Sequence, residues 1–147
     1  MLITRKAEFS ASHRCYNPSL SEEQNRDLYG ERASSHGHGH NYILEVTLDG
    51  EPDQVTGMVV DLKVLKDIIN DHVVEPMDHR HLNHEVPPFD RVIPTLENLT
   101  QDVWRRLEPH LRFENARLRN IRVYETSDLY VDYAGPGAQQ SWQGAQE

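Results

Sequence analysis

Seven even-numbered positions in succession carry rings or aliphatic side chains: His36, His38, His40, Tyr42, Leu44, Val46 and Leu48. The odd positions among them include Asn41, Glu45, Thr47 and Asp49. A period of two is the period of a strand, and a helix cannot keep that alternation on one side. The segment therefore predicts a half-buried strand over 36–49, and a sheet as the frame of the fold. The same parity sends His36, His38 and His40 toward the inward face. Neutral imidazoles on an inward face need partners. Two readings stay open from this stretch alone, a metal site or a histidine cluster at a loop edge.

A second strand supplies a further imidazole. In "LITRKAEFSASH", Ile3, Ala7, Phe9, Ala11 and His13 share one parity, and Lys6, Glu8, Ser10 and Ser12 share the other. If the two strands pair, His13 meets His38 and His40. Three imidazoles around one open position describe a catalytic zinc site. His38-x-His40 followed by Glu45 also resembles a first cupin motif. That motif needs a further metal histidine on a late strand, and the last histidine here is His110, so the cupin reading is set aside.

The remaining pattern gives the order of elements. Residues 17–35 are polar and irregular, with a short helix around Glu22–Leu28. "DGEPDQVTG" is a turn-rich connection and Met58–Val60 reads as a short strand. Asp61 caps a helix, "LKVLKDIINDHVVE", with Leu62, Leu65, Ile69 and Val73 at helical spacing and Pro76 as its end. "MDHRHLNHEVPPFDRVIP" is a long loop, and long loops are often functional. Thr95 caps a second helix, with Leu96, Leu99, Val103 and Leu107 on one face. "RLRNIRVYET" and "LYVDYA" are strands joined by a tight "SD" turn. Glu125 shares the parity of Ile121 and Val123, so its carboxylate points inward. The order ββ-α-α-ββ describes an α+β domain over 1–134, with a Gly/Gln-rich, disordered tail over 135–147.

Composition narrows the setting. One domain fits 147 residues. A single cysteine, Cys15, excludes an internal disulfide and suits a reducing, cytoplasmic setting. No apolar run is long enough to span a membrane, and "MLITRKAEFS" has no signal-peptide core. With 24 acidic against 15 basic residues, the chain lacks the basic footprint of a nucleic-acid binder.

Six segments in order, "EFSASHR", "GHGHNY", "TGMVVDLKVLK", "MDHRHLN", "PTLEN" and "VYET", resemble the 6-pyruvoyl-tetrahydropterin synthase family, which includes the 6-carboxy-tetrahydropterin synthases of queuosine biosynthesis. The resemblance covers about residues 3–133. It implies the tunnelling fold, with a four-stranded antiparallel sheet and two helices packed on one face. It implies a trimer or hexamer with active sites at subunit interfaces. By position it makes His13, His38 and His40 the Zn2+ ligands, with His36 a neighbour. Asp78 and His79 look like the family's proton relay, Glu125 like its pterin anchor, and Thr95 and Glu97 like further residues of the pterin pocket. The expected reaction is that of a lyase that converts 7,8-dihydroneopterin triphosphate to a tetrahydropterin with loss of triphosphate. Arg14, Arg80 and Arg91 stand beside motif residues and are candidates for the triphosphate, the alternative for each being a surface charge. One departure stands out. Many members carry a catalytic cysteine six residues before the first paired zinc histidine, and here that position is Arg32. Glu31 or Cys15 then stand as replacements. The alternatives are side-chain cleavage to 6-hydroxymethyl-dihydropterin, or a pterin-binding homologue without turnover.

Overall fold

A computed structural model describes residues 1–138. Its elements are β1 (Leu2–His13), α1 (Glu22–Tyr29), β2 (His38–Gly50), α2 (Leu62–Ile69), α3 (Glu75–Met77), β3 (Arg80–His81), α4 (Leu82–Glu85), α5 (Leu96–Leu107), β4 (Ala116–Thr126) and β5 (Leu129–Tyr133). The strands form one sheet in the order β3-β1-β2-β4-β5. All neighbours are antiparallel except β3, which runs parallel to β1 at Ala11–Ser12.

The helices start where side-chain caps permit. Ser21 and Gln24 form a reciprocal capping box on α1. Asp61 accepts from the Lys63 N–H to start α2, and Thr95 accepts from the Asn98 N–H to start α5. A wide, π-type turn over Asn70–Val74 joins α2 to α3, so one helical run reaches Met77. Pro76 lies within that last turn and the run stops directly after it.

The core is the inner face of the sheet against the two helical runs. Phe9 and Ala11 of β1, Tyr42, Leu44, Val46 and Leu48 of β2, and Ile121 and Val123 of β4 meet Leu65, Ile69, Val73 and Met77 on one side. Leu96, Leu99, Val103 and Leu107 of α5 complete the packing. Each such side chain, fully buried, contributes roughly 1.5–3 kcal/mol. This density holds β1 and β2 in one register and so sets the histidines that they carry.

Four expectations need correction. The sheet has five strands, because the 77–94 loop contains β3 and the short α4 rather than being structureless. Two residues of β3 suffice to join the sheet because the edge of β1 offers unpaired backbone there. Met58–Val60 is a bend, not a strand. Leu62 is 47% exposed rather than part of the core face, because it sits in the first turn of α2, beyond the sheet. Residues 139–147 of the expected tail lie outside the described residues. Before them, Gly135 has φ +93° and a Cβ there would stand 2.6 Å from the Trp104 ring, so this glycine lets the chain pass close over α5.

Candidate metal centre and active site

Antiparallel pairing of β1 with β2 puts His13 opposite His38 and Ala11 opposite His40. Three imidazoles thus gather at the end of two adjacent strands. One nitrogen from each lies within 4.8 Å of the other two. His13 Nε2 stands 3.1 Å from His38 Nε2. His13 Nδ1 is 2.7 Å from the Pro94 carbonyl oxygen. A carbonyl only accepts, so Nδ1 carries the proton and donates, which leaves Nε2 bare and facing the cluster. His40 Nε2 is buried with no hydrogen-bond partner. Bare, converging imidazole nitrogens with one orientation fixed from behind are what a metal of the zinc type takes. Burial holds the His13 pKa at about 4, with the Pro94 bond opposing and His38, His40 and His81 adding to the fall. His40 is lowered too, by burial first, with Glu125 opposing and His38 adding. Both rings are therefore neutral and ligand-competent at neutral pH.

His36 is not part of this cluster. β2 begins at His38, because Gly37 takes φ +70° and ends the alternation. A Cβ on Gly37 would lie 2.9 Å from the His13 carbonyl oxygen. The backbone turns there at a close approach that only glycine permits, and His36 stays exposed.

Beside the imidazoles lies Glu125. The β4–β5 register shifts between Tyr124 and Thr126, and such irregularities re-aim side chains. The Glu125 side chain is 13% exposed and its Oε1 is 3.8 Å from His40 Nε2. Below it, the Tyr42 hydroxyl is buried with no partner. Burial pushes its pKa up, with Glu125 and Cys15 adding. Thr95 sits next to Pro94 and caps α5 through its hydroxyl, and Glu97 is exposed one residue into that helix. The sequence had no sign of the Pro94 carbonyl, since a backbone oxygen belongs to every residue type.

Asp78 and His79 do not join the cluster within one chain. Asp78 Oδ1 accepts from the Ser10 N–H at 2.8 Å, and Asp78 Oδ2 lies 3.4 Å from His79 Nε2. His79 has φ +60° and its side chain is 84% exposed. A non-glycine residue in that region is held at a cost of about 1–3 kcal/mol. Here the His79 N–H donates to Ser10 O at 2.6 Å. His79 and His40 border one groove over Ser10–Ser12 and Gly39–Asn41, but among the described residues no contact joins them. Glu31 and Arg32 are exposed in the turn after α1. The Cys15 N–H donates to the Arg32 carbonyl at 2.8 Å, which brings the single thiol beside position 32. Burial raises the Cys15 pKa, opposed by Arg32, with Glu125 and Glu97 adding.

A sequence model of the 6-pyruvoyl tetrahydropterin synthase family matches residues 2–136. The chain belongs to this family. It is 41% identical over 133 residues to the Homo sapiens 6-pyruvoyl tetrahydrobiopterin synthase, covering 90% of each chain. It is 30% identical over 149 residues to a Rickettsia bellii 6-carboxy-5,6,7,8-tetrahydropterin synthase, covering 88% of this chain and 96% of that one. The solved Caenorhabditis elegans 6-pyruvoyl tetrahydropterin synthase superposes with a TM-score of 0.86 at 33% identity, covering 92% of this chain and 95% of that one. The chain is thus a synthase-type enzyme of pterin biosynthesis with an α+β fold. Among the described residues no helix is long and apolar enough to cross a membrane.

Proposed function

We propose that the chain is a zinc-dependent lyase that converts 7,8-dihydroneopterin triphosphate to a tetrahydropterin of the 6-pyruvoyl or 6-carboxy type, with loss of triphosphate. The observation that carries the reading is the unprotonated His13 Nε2, its ring fixed through Pro94, gathered within 4.8 Å of a nitrogen each of His38 and His40, with the buried Nε2 of His40 unpartnered. The three-histidine donor set suits zinc better than calcium or magnesium, which take oxygen. Bound there, zinc supplies a Lewis acid that lowers the pKa of substrate hydroxyls. The chain's own residues do the rest. Glu125, close to His40 and mostly buried, accepts the pterin's amino and ring N–H donors, which answers the cost of burying its charge. Thr95 and Glu97 flank the same pocket from the start of α5. Asp78 orients His79, which takes and returns the proton.

His79 is exposed at the edge of the sheet, so we assign it to the site of a neighbouring copy. A homotrimer or hexamer fits this. β1 pairs with β3 only at Ala11–Ser12, and β5 forms the far edge. Free edges of this kind pair with another copy. The single buried thiol suits the reducing cytoplasm. A second reading follows from Arg32 at the position where related enzymes carry a cysteine. It is side-chain cleavage to 6-hydroxymethyl-dihydropterin, or pterin binding without turnover.

The test is a product assay. Zinc-loaded protein is incubated with 7,8-dihydroneopterin triphosphate and the products are identified by mass, with His79→Ala as control. A tetrahydropterin that the control does not form supports the lyase. A hydroxymethyl product supports the second reading, and unchanged substrate refutes turnover on this compound.

A further inference from the structure

Asn98 lies half-buried in the first turn of α5, three residues after the cap Thr95. Its backbone N–H donates to the Thr95 hydroxyl at 3.3 Å. That bond is the helix cap, and it needs no particular side chain at position 98. The Asn98 side chain reaches elsewhere. Its Nδ2 donates to the Ile93 carbonyl at 2.8 Å, back across the start of the helix. A carbonyl only accepts, so the amide can face it only with its NH2 group.

The same Ile93 carbonyl takes a second donor, the Thr95 N–H, at 2.8 Å. That bond closes a three-residue γ-turn around Pro94, whose fixed φ suits the central position. The Thr95 N–H and the Pro94 carbonyl belong to one peptide plane. The Pro94–Thr95 peptide is trans, and in a trans peptide the N–H and the C=O point to opposite sides. Anchoring the Thr95 N–H on Ile93 therefore turns the Pro94 carbonyl the other way, toward the end of β1. There it accepts from His13 Nδ1 at 2.7 Å. One hydrogen bond across three residues leaves such a peptide room to rock. The Asn98 amide is a second clasp on the same oxygen. It comes from a helix that the core holds through Leu96, Leu99 and Val103.

We propose that Asn98 is a positioning residue for the metal centre. By holding the Ile93 carbonyl it keeps the Pro94 carbonyl on His13 Nδ1, which fixes the Nδ1–H tautomer and leaves Nε2 free for the metal. Partners behind a ligand set its orientation and basicity in this way. The proposal rests on the zinc reading of the three histidines. It adds to them a residue that acts only through the backbone of Ile93 and Pro94.

Two measurements on the full chain test it. One is titration of metal-free protein with cobalt(II), read by the visible absorption of the tetrahedral ion. The other is the nitrogen NMR spectrum of metal-free protein at neutral pH, which reads the His13 tautomer directly. The variants are Asn98→Asp, Asn98→Gln and Leu99→Val, with thermal melts as the check on folding. Aspartate keeps the size of Asn98 and suits the first turn of a helix, but has no donor for Ile93. Glutamine keeps a donor on a longer arm. Leu99→Val trims the core beside Asn98 and leaves the clasp intact. Cobalt affinity should fall about tenfold in Asn98→Asp, recover in part in Asn98→Gln and hold in Leu99→Val. His13 should be a single Nδ1–H tautomer in the parent and a mixture in Asn98→Asp. Should Asn98→Asp not fold, Asn98→Ala carries the comparison. Parent affinity together with a single tautomer in the folded variant overturns the proposal. So does an equal loss of cobalt affinity in Leu99→Val, which would make the effect one of stability alone. A parent that takes up no cobalt refutes the metal reading instead. The tautomers then decide the role of Asn98 by themselves, a mixture in Asn98→Asp upholding it and a single form overturning it.

Discussion

Acid should unfold the metal-free chain by way of His13, and the size of the effect follows from its surroundings. His13 is 1% exposed and its pKa falls from 6.5 to about 4. The unfolded chain therefore binds a proton at His13 that the folded chain refuses. With the folded value depressed, the stabilisation is fully present above about pH 6.5 and is lost as pH falls toward about 4. A shift of that size corresponds to about 3 kcal/mol in total, of which about 2 kcal/mol is gone by about pH 5. His40, lowered in the same direction, adds to the loss. Paired carboxylates such as Asp132 and Glu108, also lowered, contribute only at lower pH. The window between about pH 6.5 and 5 therefore isolates the imidazoles. The assay is urea unfolding in a chelating buffer at a series of pH values. Zinc at a hundred times its dissociation constant should then add about 2.7 kcal/mol at neutral pH, and progressively less in acid as protons compete for the nitrogens. Unfolding free energy that stays level between about pH 6.5 and 5 without metal would show that His13 is not buried as a neutral ring.

Three further outcomes are expected. His38→Ala or His40→Ala removes one of the three proposed ligands, so either variant should emerge from purification without stoichiometric zinc; unchanged metal content by elemental analysis would sink the ligand assignment. Glu125→Gln keeps the size of the side chain but not its charge, and should weaken pterin binding by about 1.5–3 kcal/mol, the worth of hydrogen bonds to a charged group; a fluorescence titration with unaltered affinity would take Glu125 out of the pocket. Gly37→Ala places a Cβ 2.9 Å from the His13 carbonyl at φ +70° and should cost about 1–3 kcal/mol, along with zinc affinity; a thermal melt matching the parent would contradict the tight turn ahead of His38.

Much of the fold was readable without coordinates, because it is built from local rules. The two-residue period around Tyr42 and Leu44, the matching period around Phe9 and Ala11, and the caps Asp61 and Thr95 each declare their element within a few residues. The inward parity of His13, His38 and His40 followed from the same alternation. Glu125 is mostly buried, as its parity suggested, but it sits at the register shift between Tyr124 and Thr126, which the letters do not announce. The local rule failed at Gly37. Alternation in the letters predicted that His36 would join the strand, but the positive φ of that glycine ends the strand at His38. It failed again in the 77–94 loop, where β3 exists only because the edge of β1 is there to receive it.

What the sequence by itself determined is the set of elements, their order and their buried faces, since periodicity and capping depend on near neighbours in the chain. What only the tertiary structure decided is which distant groups meet. The register that sets His13 against His38, the Pro94 carbonyl that fixes the His13 tautomer, the approach of Glu125 to His40 and the Cys15–Arg32 contact all join residues far apart in the chain. Such meetings depend on how the whole core packs and on backbone atoms that every residue shares, and neither is written in the identity of any one residue.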